Sequence, residues 1–231
     1  MRLHTRHWGT GDRTALLVHG IMSDSRTWRR VGPALAERGY RVTAVDLRGH
    51  GGSPRGDYGI EHFADDLVDT LPTGADVIVG HSLGGLALSL AVDRLRPLRA
   101  VYSDPAWSSQ NPEQALDPEV FASAKNISRE HIVQFNPRWA AEDVDIEVAT
   151  VADWDADTSY FLDGRPLTGF VPGRPVVPSL VQLADPSLLV GPADVELLRA
   201  SGFEVRTVTG AGHTIHRDDF DGFMASLEGW I

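Results

Sequence analysis

Ser82 stands in the run Gly80-His81-Ser82-Leu83-Gly84, a G-x-S-x-G frame. The apolar segment Asp76-Val77-Ile78-Val79 precedes it, and residues 85–95, lined with small and leucine side chains, follow. That context predicts a sharp turn from strand to helix. Such a turn forces its central residue into strained backbone geometry, and flanking glycines remove the side chains that would clash there. Ser82 would then stand at the carboxyl end of a sheet, beside a helix N-terminus that favours developing negative charge. A serine hydroxyl is a poor nucleophile at neutral pH, so it needs a base within hydrogen-bond reach and a further group to fix the tautomer of that base.

Nine histidines compete to be the base. His213 is best placed: it follows an expected strand at 204–208 through the tight loop Thr209-Gly210-Ala211-Gly212 and precedes the last helix. His216, three residues on, could exchange roles with it, but a capping or solvent-facing position at the start of that helix is the expectation. The pair His213-x-x-His216 lacks a convincing third ligand, so no metal is expected, nor any other cofactor. For the acid we expect Asp194, which follows a strand at 187–190 and the turn Gly191-Pro192-Ala193. Asp104, directly after a strand at 100–103, is the rival, with capping ahead of Pro105 as its structural role. The oxyanion donors expected are the backbone N–H of Leu83 and, from the loop His19-Gly20-Ile21-Met22, that of Ile21. Gly20 lets this loop turn in close, and the His19 side chain braces it.

The elements that must position these groups follow from hydrophobic period. Runs at 3–8, 15–18, 41–45, 76–79, 100–103, 187–190 and 204–208 read as strands, most of them apolar on both faces. Trp28, Val31 and Leu35 share one helical face that ends at Gly39; Ile60, Phe63, Leu67 and Leu71 share another, and Phe220, Phe223, Leu227 and Trp230 a third. Alternation of strands and helices predicts an α/β fold with a mostly parallel sheet covered by helices on both faces.

One stretch, 105–185, interrupts that alternation with Pro-punctuated, aromatic-bearing segments. Its apolar content predicts an ordered helical lid inserted between core segments 1–104 and 186–231. Met22, His81 and the lid tryptophans Trp107, Trp139 and Trp154 are the candidates to touch substrate.

Composition narrows the partners. The chain has 231 residues, 32 acidic against 21 basic side chains, a net charge of -11 and no cysteine. Without cysteine there is no disulfide framework and no thiolate nucleophile. Acidic balance argues against nucleic acid and against anionic lipid surfaces, both of which need clustered positive charge. The N-terminus lacks the apolar stretch of a secretory signal and no window is long enough to span a bilayer, so a cytoplasmic location is expected.

The sequence resembles the α/β-hydrolase superfamily. The resemblance rests on His19-Gly20, Trp28, Leu35-Ala36, Gly39-Tyr40-Arg41-Val42, the run from Asp46 to Ser53, the serine frame and Gly212-His213. It implies an α/β-hydrolase fold with the lid after the sixth strand of that fold, and it implies Ser82 as nucleophile, Asp194 as acid, His213 as base and Ile21 and Leu83 as oxyanion donors. Residues 46–53 are then a structural loop beside the site. One departure is that the turn before Asp194 lacks the usual second charged residue. The activity implied is hydrolysis of a carboxylic ester or lactone of a small, largely apolar molecule. Similar folds with the same triad also perform carbon–carbon bond hydrolysis, cofactor-free perhydrolysis of haloperoxidase type or cyanohydrin cleavage, and some act as receptors for small ligands.

Overall fold

The computed structural model describes residues 1–107, 118–162 and 167–231. Its first half alternates as the hydrophobic pattern requires: β1 (Thr5–Trp8), β2 (Arg13–Val18), a 3-10 turn at Ser25–Trp28, α1 (Val31–Glu37), β3 (Tyr40–Val45), α2 (Ile60–Thr70), β4 (Val77–His81), α3 (Leu83–Leu95) and β5 (Ala100–Ser103). After an insertion the sheet resumes with β6 (Ser179–Leu183) and β7 (Glu204–Thr207). Strand order is β1-β3-β2-β4-β5-β6-β7; β1 pairs antiparallel with β3 and every other pairing is parallel.

Alternate residues of each strand feed opposite faces, as a period of two dictates. Leu16 and Val18 of β2 pack with Phe63, Leu67 and Leu86 on the side of α2 and α3. Ala15 and Leu17 pack with Trp28, Leu35 and Phe223 on the other side, under α1 and the C-terminal helix. The expected three-layer α/β fold is therefore present.

The insertion between β5 and β6 carries α4 (Pro118–Ser123), α5 (Arg129–Phe135) and α6 (Ala141–Asp153) with short 3-10 turns. Its ion pairs hold it to the core: Arg29 Nε lies 2.7 Å from the buried carboxylate of Asp143, and Arg26 Nη2 lies 2.6 Å from Asp153. Three helices follow it: α7 (Pro192–Ala200), α8 (Ile215–Asp218) and α9 (Phe220–Ser226). Among the described residues no helix is long and apolar enough to cross a membrane.

The largest difference from the sequence expectation lies here. Residues 187–190 form no strand, and the sheet strand is Ser179–Leu183, inside the segment 105–185 assigned to the lid. The insertion therefore ends before residue 179. Two polar residues disguise β6, and both find hydrogen-bond partners in the fold. Ser179 Oγ donates to the Val177 carbonyl at 2.7 Å, and Gln182 accepts from Ser103 Oγ at 2.7 Å while donating to the Phe223 carbonyl at 3.2 Å. Buried polar groups cost little once paired.

Candidate functional site

Register brings the chemistry together. Val18 of β2 pairs with Gly80 of β4, and His81 pairs with Ser103 of β5. The residues that leave these strands, His19-Gly20, Ser82 and Asp104, thus emerge side by side at one carboxyl edge, where open α/β sheets form their ligand crevice.

Ser82 sits between β4 and α3 with φ 51° and ψ -119°. Gly80 and Gly84 are required by contact as well as by the turn. A Cβ on Gly80 would lie 2.6 Å from the Gly84 carbonyl oxygen, and one on Gly84 would lie 2.4 Å from that of His19. Although Ser82 occupies the N-cap of α3, its side chain makes no capping bond, so the hydroxyl is not spent on the helix.

The loop after β2 closes a turn in which Ser23 N–H donates to the Gly20 carbonyl at 3.3 Å, with Met22 at φ 63°. A Cβ on Gly20 would come within 3.0 Å of Ser82 Cβ, so only glycine permits this approach. Nε2 of the buried His19 accepts the Leu47 N–H at 2.9 Å and its Nδ1–H donates to the Gly20 carbonyl at 2.7 Å, which fixes the tautomer and braces the loop.

His213 donates from Nδ1 to Asp104 Oδ2 at 2.6 Å. Asp104 is fully buried, and its other oxygen accepts the Ala184 N–H at 3.2 Å. His213 itself is 40% exposed along its side chain. Its loop is fixed further by Gly210 N–H to Asp185 Oδ2 at 3.0 Å and by Nε2–H of His81 to the His213 carbonyl at 3.0 Å. Burial, followed by the nearby His213 and His216, pushes the His81 pKa well down, so that ring is a neutral donor.

This corrects the expected acid. Asp194 does not meet His213; it lies in the first turn of α7, where its Oδ2 accepts the Gly191 N–H at 3.1 Å. With the strand at 179–183 rather than 187–190, the turn at 191–194 no longer leads off the sheet edge. The position of His216 is corrected too. It is buried, stacked on Trp28 with ring centroids 4.3 Å apart, rather than capping or facing solvent.

A cavity of about 390 Å³ opens over Ser82 and is lined by Ile21, Met22, His81, Leu83 and His213 among others. The three tryptophans expected at the substrate are not in its wall. Trp107 is buried against Tyr102, ring centroids 4.8 Å apart, Trp154 donates its indole N–H to Thr158 at 2.5 Å, and Trp139 lies under the guanidinium of Arg217. Phe121 and Phe161 supply the aromatic lining instead. Sequence reading missed Ser23, Glu147, Ser159, Leu188, Leu189 and Arg217, which also line the cavity. Only one signal was available for the insertion: Asp143 and Glu147 share a helix face with the apolar Val144 and Val151.

Comparison with known proteins agrees with this architecture. The chain matches the alpha/beta hydrolase family over residues 15–225. It is 26% identical to the enol-lactonase from Burkholderia xenovorans LB400, with a TM-score of 0.77 over 99% of this chain and 95% of that one. It is 35% identical over 129 residues to the pimeloyl-[acyl-carrier protein] methyl ester esterase of Aeromonas hydrophila, covering 53% of this chain and 50% of the relative. An uncharacterized protein of Mycobacterium tuberculosis is 46% identical over 92 residues, 35% of this chain and only 27% of that protein. The chain thus aligns with about a quarter to a half of the length of these curated relatives. Since the family match runs from β2 into α9, the chain belongs to the alpha/beta hydrolase family.

Proposed function

We propose that the protein is a serine hydrolase that cleaves a carboxylic ester or lactone of a small, largely apolar molecule through an acyl-enzyme. The observation that carries this reading is the His213–Asp104 hydrogen bond of 2.6 Å at the rim of the cavity that Ser82 lines. With Nδ1 engaged by the carboxylate, Nε2 is the nitrogen that takes the proton from Ser82 Oγ as the hydroxyl adds to the carbonyl carbon. Asp104 steadies the imidazolium so formed. The N–H groups of Ile21 and Leu83 receive the charge that develops on the carbonyl oxygen, each worth about 3 kcal/mol of transition-state stabilisation. His213 returns the proton to the departing alkoxide and then activates water, which releases the carboxylic acid and regenerates Ser82. The inserted segment acts as a lid, with Phe121 and Phe161 facing the substrate and excluding water.

Multiple turnovers on a p-nitrophenyl acyl ester, lost in Ser82→Ala, are the expected result. A single stoichiometric burst with no turnover would contradict hydrolysis and favour a ligand receptor.

A further inference from the structure

Most of the cavity wall is apolar, through Ile21, Met22, Ala106, Phe121, Phe161 and Leu189, but one corner is charged. There the buried Arg217 donates from Nη1 to Glu147 Oε2 at 2.7 Å and from Nη2 to Ser23 Oγ at 2.9 Å. These three residues come from separate segments: the turn that carries Ile21, the inserted helix α6, and helix α8 just after His213. All three line the cavity.

The pairing decides what the corner can bind. Arginine and glutamate cancel, so a ligand carboxylate or ammonium would lose its hydration without meeting a net opposite charge. Dipolar capacity is left over. Arg217 takes one oxygen of Glu147, and the other is an acceptor; Ser23, which accepts from Arg217, still has a hydroxyl proton to give. Ser159 adds a buried hydroxyl in the same wall that has no partner among the described residues. A buried polar group without a partner costs free energy until a bound molecule completes it.

We propose that this corner is a specificity subsite for a neutral group that both accepts and donates a hydrogen bond, a hydroxyl or a carboxamide, carried on an otherwise apolar substrate away from the scissile carbonyl. It deepens the esterase reading and rests on it.

The test compares esters matched in size. On the acyl side these are methyl 6-hydroxyhexanoate, methyl heptanoate, monomethyl adipate and methyl 6-aminohexanoate; on the alcohol side, 4-hydroxybutyl butyrate and pentyl butyrate. The hydroxylated ester is expected to exceed its methyl-terminated match in kcat/KM by about tenfold or more in one of the two series. The carboxylate and ammonium esters are expected to be the poorest. Equal rates within both series, or preference for a charged ester, would overturn the subsite. Glu147→Gln and Ser23→Ala, each checked for folding by circular dichroism, should shrink the hydroxyl-to-methyl ratio; a ratio unchanged in both overturns it.

Calorimetric binding of the same esters to Ser82→Ala separates the two levels of the account. Tighter binding of the hydroxylated ester supports the subsite even if the unmodified protein turns over none of the panel, in which case the esterase reading alone fails. Turnover without discrimination leaves that reading standing and sinks the subsite, as does equal or undetectable binding throughout the panel.

Discussion

The Asp104 carboxylate lies 2.6 Å from Nδ1 of His213 across 109 residues of sequence. Asp104 leaves β5, the immediate neighbour of β4, which leads into Ser82, while His213 comes from the loop after β7. Adjacent strands thus carry the carboxylate and the serine, and a third strand brings the imidazole to the carboxylate. Asp104→Asn should therefore lower kcat on an ester by about four orders of magnitude, because an amide stabilises the wrong tautomer and cannot steady an imidazolium. Asp194→Asn should leave kcat unaltered and cost at most about 1 kcal/mol, through the first turn of α7. Steady-state kinetics of the two variants side by side check this; loss of activity in Asp194→Asn alone would reverse the assignment.

Gly84 lies where α3 meets the end of β2. A methyl group there would sit 2.4 Å from the His19 carbonyl oxygen and 2.5 Å from that of Val18, both backbone atoms that cannot swing away. Gly84→Ala should destabilise the fold by about 2–3 kcal/mol and displace Ser82 from the loop that carries Ile21. Urea unfolding midpoints measure the first effect and ester turnover the second.

Buried histidines are expected to set the acid limit of the fold. Burial, then the charge of His19, pushes the His50 pKa from 6.5 down to about 3, and burial also holds His19, His81 and His216 below their ordinary value. The unfolded chain binds these protons first, so stability is intact above pH 6.5 and is lost as pH falls from there toward 3. Each such histidine contributes a slope of about 1.4 kcal/mol per pH unit within its window. Melting temperatures from pH 7.5 down to 4.5, taken in constant ionic strength, should fall steeply; a flat profile would show that these rings titrate alike in the folded and unfolded chain.

His216 offers a single-residue version of that test. Both ring nitrogens are buried without a partner among the described residues, while the ring stacks on Trp28 and meets Phe223 edge-on. His216→Phe keeps the aromatic packing and removes the unpaired polar atoms, so it should stabilise the protein by about 1 kcal/mol and soften the acid limb. Denaturation at pH 7 and pH 5 would reveal both effects.

How much of this was legible in the sequence depended on whether the signal was local. The serine turn was readable because Gly80, Ser82 and Gly84 are neighbours and the strand before them is uniformly apolar. The strands at 15–18, 41–45 and 100–103 were readable from their short β-branched or leucine-bearing apolar runs, each set between turn or helix signals. Strand β6 was not, since Ser179 and Gln182 break its apolar pattern and their partners, Val177, Ser103 and Phe223, become visible only in the folded sheet. That misplaced strand led the expectation to Asp194, whereas the carboxylate that meets His213 is Asp104. The tryptophans of the insertion misled in another way: large aromatics in a lid serve packing as readily as binding, and Trp107 and Trp154 pack. Arg217 and Ser23 gave no sign, and Glu147 only its place beside Asp143 on one face of α6, because the meeting of the three requires distant segments to converge.

The central claim is that Ser82 is an activated nucleophile, and covalent labelling tests it most directly. A fluorophosphonate probe, followed by peptide mass spectrometry, should modify Ser82 stoichiometrically in the folded protein and should fail to react with Ser82→Ala or His213→Ala. A folded protein that resists the probe, or that reacts equally well without His213, would contradict the account.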